Sequence, residues 1–261
     1  MINKPYPLLI SIPHGGDQLP AEVAGKIRLE MNDLLEDSDA FTLAIYHIGD
    51  AALRVIAARI LRAMVDPNRA PDDLPPANPD GVIKSHTCYG KKIYKDHYEQ
   101  DEVLIAQLLK NYYDDYHDQI KRAITHEDVK IAFDCHSMAS HAPDIAPDPG
   151  MDRPVINLGN YHGKACDDHT TWLLAEAFRV IFHLQPHHIT VNKPFAGGYI
   201  TRTYGMHPIP WIQIEMNRCL FLDDRWFNPS EMEINENRLK VMNNRFERVV
   251  EHFFEMMPGM F

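Results

Sequence analysis

Short apolar runs of strand character alternate with stretches of helical period along this chain, and few architectures accommodate that order. Pro7–Ile12 is an apolar run stopped by Pro13 and the Gly15–Gly16 pair, and it reads as a buried strand. From Ser38 to Met64 the positions Phe41, Ile45, Ile48, Ala52, Val55 and Ile56 recur at helical spacing, with Ser38 and Asp39 as N-cap candidates. Residues 67–80 carry five prolines and read as a loop. A second helix is expected over 99–124, where Leu104, Leu108, Tyr112, Tyr116 and Ile120 share a stripe. Lys130–Phe133 reads as a strand entering "DCHSM", followed by a proline-rich loop over 139–154 and a strand at "PVINLG". A helix fits 168–183. "HITVN", "GGYITRTYG" and "WIQIEMN" read as strands, and an amphipathic helix over 230–256 closes the chain. This alternation predicts an α/β sandwich on a mixed, largely parallel sheet. It continues across both proline-rich segments, so residues 1–261 are expected to form a single domain.

The bulk numbers narrow the partners. No apolar run reaches the ~18–20 residues of a membrane span, and no cleavage-site pattern follows the first apolar patch. A cytoplasmic protein without a membrane partner is therefore expected. Cys88, Cys135, Cys166 and Cys219 form no CxxC pair and read as free thiols. The formal net charge of −11, with no basic block, argues against nucleic acid. An anionic small molecule would have to be held by particular arginines or lysines against the overall field.

In open α/β sheets, ligands bind outside the carboxyl ends of the strands. His14 follows one predicted strand, Asp66–Arg69 another, and Asp134–His136 a third, while Glu215 lies on a fourth. Four segments remote in sequence could thus meet at one rim. His14 alone could equally be a turn histidine. With His136 it could instead supply two imidazoles to one zinc, a carboxylate or third imidazole completing the site. No HExxH motif is present. Asp17, Asp37 and Asp39 are the carboxylate candidates, although helix capping is an alternative use for the last two.

Alternation places Glu215 on one face of "WIQIEMN" with Trp211 and Gln213. A carboxylate on a buried strand is costly unless paired or functional. It is either a general base or the partner of Arg218. Arg69, with Asn68 beside it, and Arg202 are the anion-binding candidates, since a guanidinium fork matches a carboxylate. Asp66, Asp72 and Asp73 could hold the loop around Arg69 or orient it. His117 reads as a helix-surface or packing residue of the second helix rather than a ligand, and His183, His187 and His188 as loop.

Taken in order, "SIPHGG", "DSDAFTLAIY", "DPNRAPDD", "DCHSM", "INLGNYHGKAC", "NKPFAGGYITRTYG" and "IQIEMNR" resemble the motifs of the N-formylglutamate amidohydrolase family. The resemblance runs from residue 11 to about residue 218. It implies a three-layer α/β/α sandwich of zinc-exopeptidase-like (phosphorylase/hydrolase-like) type, and hydrolysis of N-formyl-L-glutamate, a step of histidine degradation. It further implies one Zn2+ held by His14, Asp39 and His136, with Glu215 as general base. Asn68 and Arg69 would grip a substrate carboxylate, and Arg202 a second carboxylate or the developing oxyanion. The proline of "DPNR", a glycine of "PHGG" where serine or alanine is frequent and the cysteine of "DCHSM" depart from the commoner family pattern, and they bear on the substrate more than on the chemistry. Another N-acyl amino acid or a small peptide is the alternative substrate, and a non-catalytic binding protein the alternative class.

Overall fold

The computed structural model describes residues 4–96, 101–125, 128–143, 149–231 and 233–258. Six strands form its main sheet: β1 (Tyr6–Ile12), β2 (Ala52–Ala57), β3 (Ile131–Met138), β4 (Ile156–Gly159), β5 (Ile189–Val191) and β6 (Trp211–Asn217). They lie in the order β2-β1-β3-β6-β4-β5, and every neighbouring pair is parallel except β4 with β6. The expected mixed, largely parallel sheet is therefore present. A short hairpin of β7 (Phe227–Asn228) and β8 (Glu233–Ile234) stands apart from it.

The two faces of this sheet differ in chemistry because side chains alternate along each strand. Leu8, Ile10 and Ile12, then Ile131, Phe133 and Cys135, then Ile212, Ile214 and Met216, with Ile156 and Leu158, all enter one apolar core. Helices α2 (Thr42–Tyr46), α5 (Asp168–Phe182) and α7 (Glu236–Glu255) cover this face through Ile45, Leu174, Phe178, Phe246 and Phe253. The opposite face starts apolar, with Leu9, Ala132 and Trp211 packed under α4 (Asp114–Ile124) and α6 (Tyr199–Tyr204). Toward the strand ends it turns polar: Ser11, Asp134, His136, Gln213 and Glu215 are all buried there. A polar patch of this kind inside a sheet requires partners or a function.

Three expected elements come out differently. The stretch 38–64 is not one helix. It holds the short α2, a 3-10 turn over Gly49–Ala51 and the edge strand β2. Phe41, Ile45, Ile48 and Ala52 do face one core, but they reach it from different local structures. Gly49, at φ 58°, breaks the helix, and β-branched Val55 and Ile56 pair with β1. "GGYITRTYG" forms α6 rather than a strand. The last helix starts at Glu236, after the hairpin, with Asn235 accepting a cap bond from Arg238 N.

The helix expected over 99–124 is present from Glu102 as α3 (Glu102–Leu108), a π-turn (Leu109–Tyr113) and α4; residues 99–100 lie outside the described residues. The π-turn rotates the stripe. Leu104, Leu108 and Tyr113 fill a second core with Ile60, Met64, Val82 and Ile93, whereas Tyr116, Ile120 and Ala123 pack on the sheet. That second core carries the segment containing Asp66 and Arg69. Among the described residues no helix is long and apolar enough to cross a membrane.

Candidate active site

His14, two residues beyond β1, Asp39, between α1 (Met31–Glu36) and α2, and His136, inside β3, meet as a buried triad. Asp39 Oδ2 lies 3.2 Å from His14 Nδ1 and 3.1 Å from His136 Nδ1, and the two Nδ1 atoms are 3.2 Å apart. Of the three aspartates open on sequence grounds, Asp39 is the one the fold brings to the histidines. Its own N–H donates to His14 O, which ties the loop to the end of β1. Asp37 instead pairs with the fully buried Lys84 at 2.8 Å, and Asp17 is exposed.

The outer atoms of the triad are also held. His14 Nε2 is 2.8 Å from Asp66 Oδ1, and Asp66 accepts from Arg62 Nε at 2.9 Å. An ionised carboxylate only accepts hydrogen bonds. Any hydrogen bond in this pair is therefore donated by His14 Nε2, and the ring turns Nδ1 inward, toward Asp39 and His136. His136 Nε2 faces Asp134 Oδ1 at 3.4 Å and Asn68 Nδ2 at 3.4 Å. Arg218 donates to Asp39 Oδ1 at 3.1 Å, to Ser38 O and to Ser137 Oγ. This corrects the pairing of Arg218 with Glu215 considered from sequence. Glu215 accepts from Gln213 Nε2 at 2.8 Å, a neighbour that strand alternation puts on the same face.

The donor set fits a small divalent ion. Two imidazole nitrogens and a carboxylate oxygen form a near-equilateral triangle, close to the ~3.4 Å edge of a tetrahedron with zinc-type ligand distances. Each ligand is braced from behind by a carboxylate or guanidinium, the outer-shell pattern that aligns metal ligands. The electrostatics agree. Burial alone would push His136 down, but Asp134, Asp39 and Glu215 reverse this and hold it well above its usual range. Burial pushes Asp39 up, and the two histidines outweigh it and hold the carboxyl well below its usual range. Asp66 is held low in the same way, His14 and Arg62 outweighing burial. The site favours positive charge at its centre.

Glu215 behaves oppositely. Burial pushes its carboxyl up to about 7, against the attraction of His136. A carboxyl near 7 exchanges protons readily at neutral pH. Glu215, the triad, Asn68, Arg69, Arg202 and Arg218 all line one cavity of about 590 Å³, within the range of small-molecule sites.

The Asn-Arg pair sits well past the end of β2 rather than directly on a strand end. Arg69 donates to Asp80 at 2.9 Å, lies 3.7 Å from Asp66, and its carbonyl accepts from Tyr113 Oη. Asn68 is partly committed to structure. Its Oδ1 accepts from Ile200 N at 2.8 Å, which fastens the loop to α6. Arg202, on α6, donates to Gly198 O and lies 5.9 Å from the Tyr161 ring. It pairs with no carboxylate among the described residues. Arg153 also lines this cavity, and it could not be singled out in the sequence because it stands in no recognisable pattern. His117 is buried and bonds Tyr204 Oη and Pro67 O, which selects packing over the helix-surface alternative.

Fold and site together define an α/β protein with a buried imidazole–carboxylate centre at the carboxyl edge of its sheet, facing an arginine-lined cavity. The family model for N-formylglutamate amidohydrolase matches residues 6–222, and the chain belongs to that family. The N-formylglutamate deformylase of Pseudomonas aeruginosa is 28% identical over 229 residues, covering 84% of this chain and 83% of that protein. The Pseudomonas putida protein of the same name is 27% identical over 228 residues, with 84% and 82% covered. The crystal structure of N-formylglutamate amidohydrolase from Ralstonia eutropha JMP134 superposes with a TM-score of 0.81 at 19% identity, over 99% of this chain and 97% of that one. That likeness establishes a shared fold.

Proposed function

We propose that this protein hydrolyses N-formyl-L-glutamate to formate and L-glutamate. The observation that carries this reading is the convergence of the His14–Asp39–His136 triad, Glu215 and two arginines on one cavity, in a chain of this family. The names of the Pseudomonas relatives supply the substrate.

The chain's own groups divide the work. Arg69, steadied by Asp80 and Asp66, holds one carboxylate of the substrate. Arg202 takes the second carboxylate, or the oxyanion as it develops. Fixing both ends of a dianion sets its formyl carbon beside Glu215 and gives the orientational part of the rate gain. Glu215 removes a proton from the attacking water. The water oxygen bonds to the formyl carbon, the C–N bond breaks, and Glu215 returns the proton to the departing amine nitrogen. His14, Asp39 and His136 would hold Zn2+, which when bound supplies Lewis acidity. Asn68 holds α6 and its arginine against the loop that carries Arg69.

The test is turnover of N-formyl-L-glutamate by purified protein loaded with zinc, against N-formyl derivatives of neutral amino acids. A preference of tenfold or more in kcat/KM for the dicarboxylate is expected. Equal turnover of neutral substrates would remove the second-carboxylate assignment and leave a broader N-acyl amino acid hydrolase.

A further inference from the structure

Asp66 stands between two parts of the site that are otherwise separate. Its Oδ1 faces His14 Nε2 at 2.8 Å and also accepts from the backbone N–H of Asn68 at 2.9 Å. Its Oδ2 accepts from Arg62 Nε at 2.9 Å and lies 3.7 Å from Arg69 Nε. The carboxylate is only 1% exposed. Arg62 is itself fixed, donating to Asp37 O at 3.2 Å, and the Asp37 carboxylate is locked by Lys84. One buried group therefore fixes the orientation of the first imidazole and the turn that presents Asn68 and Arg69.

From this the geometry points to Asp66 as a positioning residue that couples the triad to the anion clamp. It touches neither the substrate nor the ion, and acts through His14 on one side and the Asn68–Arg69 turn on the other. The inference rests on the proposed reading of the triad as a metal centre and Arg69 as a carboxylate clamp. Its physical content is specific. A shift of Asp66 that improves its bond to His14 also moves the Asn68 amide on the same oxygen, so loosening one side loosens the other. Asp80 is the contrast, since it holds Arg69 at 2.9 Å without contact to His14.

Three measurements on the full chain separate the possibilities. The first uses long-range ¹H–¹⁵N correlation on metal-stripped wild-type protein: His14 Nε2 is expected to carry a proton donated to Asp66, and an Nε2 without a proton overturns the inference. This arm needs neither metal nor turnover, and it decides the matter even if Asp66 variants fail to fold. The second is zinc affinity by chelator competition. Asp66→Asn is expected to weaken zinc 10–100-fold, the usual effect of losing an outer-shell partner, while Asp80→Asn leaves it unchanged. The third is KM with N-formyl-L-glutamate, which should rise in both variants. Wild-type zinc affinity and KM in folded Asp66→Asn would reduce Asp66 to a structural residue. Zinc weakening in a background where even wild-type protein fails to turn over formylglutamate would support Asp66 and remove the substrate instead. A wild-type chain that binds no zinc would overturn both.

Discussion

Glu215 presents a carboxyl from a strand that is buried along its whole length, with Gln213 as its one side-chain donor among the described residues. That environment raises its proton affinity to about 7, so the group can both take and return a proton near neutrality. Glu215→Gln keeps the shape and removes the base. It should lower kcat by roughly 10²–10⁴-fold while KM changes little. Steady-state kinetics decide it: a variant that keeps more than a tenth of wild-type kcat assigns proton transfer elsewhere. Arg69 makes the complementary prediction. Its guanidinium is already held by two aspartates, so under the proposed function a substrate carboxylate would meet a pre-set fork. Arg69→Ala should raise KM about 10–100-fold, the value of a hydrogen bond to a charged group. Arg69→Lys should recover little of that, because an ammonium lacks the planar fork. An unchanged KM would return the pair to a surface turn.

At the scale of elements, the segments that converge on the candidate site were legible and several of their scaffolds were not. The ends of β1 and β3 and the middle of β6 show in the sequence because an apolar run abruptly acquires a histidine or glutamate, as in "SIPHGG", "DCHSM" and "IQIEMNR". The stretch 38–64 misled because residues at helical spacing can share a core without sharing a helix; only Gly49 and the Val55–Ile56 pair signal the break. "GGYITRTYG" is β-rich in composition, yet it forms α6 because its partners decide. Thr201 bonds the buried Asp134, Ile200 enters the core beneath, and Ile200 N is held by Asn68. Gly198, just before α6, is required by close approach. A Cβ built there would stand 2.2 Å from Asn68 Nδ2 and 2.5 Å from its Oδ1. Gly198→Ala should therefore push Asn68 off Ile200 N, destabilise the fold by about 1–3 kcal/mol and lower kcat/KM. A thermal melt and an activity assay both matching wild type would show that Asn68 has room to yield.

For the whole molecule, the site exists because one face of the sheet is apolar to its end and the other is not. Alternation made the polar side of β6 foreseeable. What joins that side to the loop bearing Arg69 was not, since those contacts involve residues far apart in the chain. His117 is the plainest case. From α4 it bonds Pro67 O at 2.9 Å and Tyr204 Oη at 2.8 Å, joining the loop that bears Arg69 to α6. It is 4% exposed, and burial pushes its pKa down to about 4. The native protein thus keeps this imidazole neutral at pH values where the unfolded chain, titrating near 6.5, binds a proton. The sign follows: its contribution is complete above pH 6.5 and is lost as pH falls toward 4. Between pH 7 and pH 5 the loss should approach roughly 2 kcal/mol, at 1.36 kcal/mol per unit below 6.5. His117→Gln does not titrate, and its amide can replace at least one of the two bonds. It should be less stable than wild type at pH 7.5, yet lose less of its stability on going to pH 5. Urea unfolding of both proteins at the two pH values measures the difference of differences. Parallel losses would mean that the acid sensitivity of the fold resides in other groups and that His117 is held neutral by less than its burial implies.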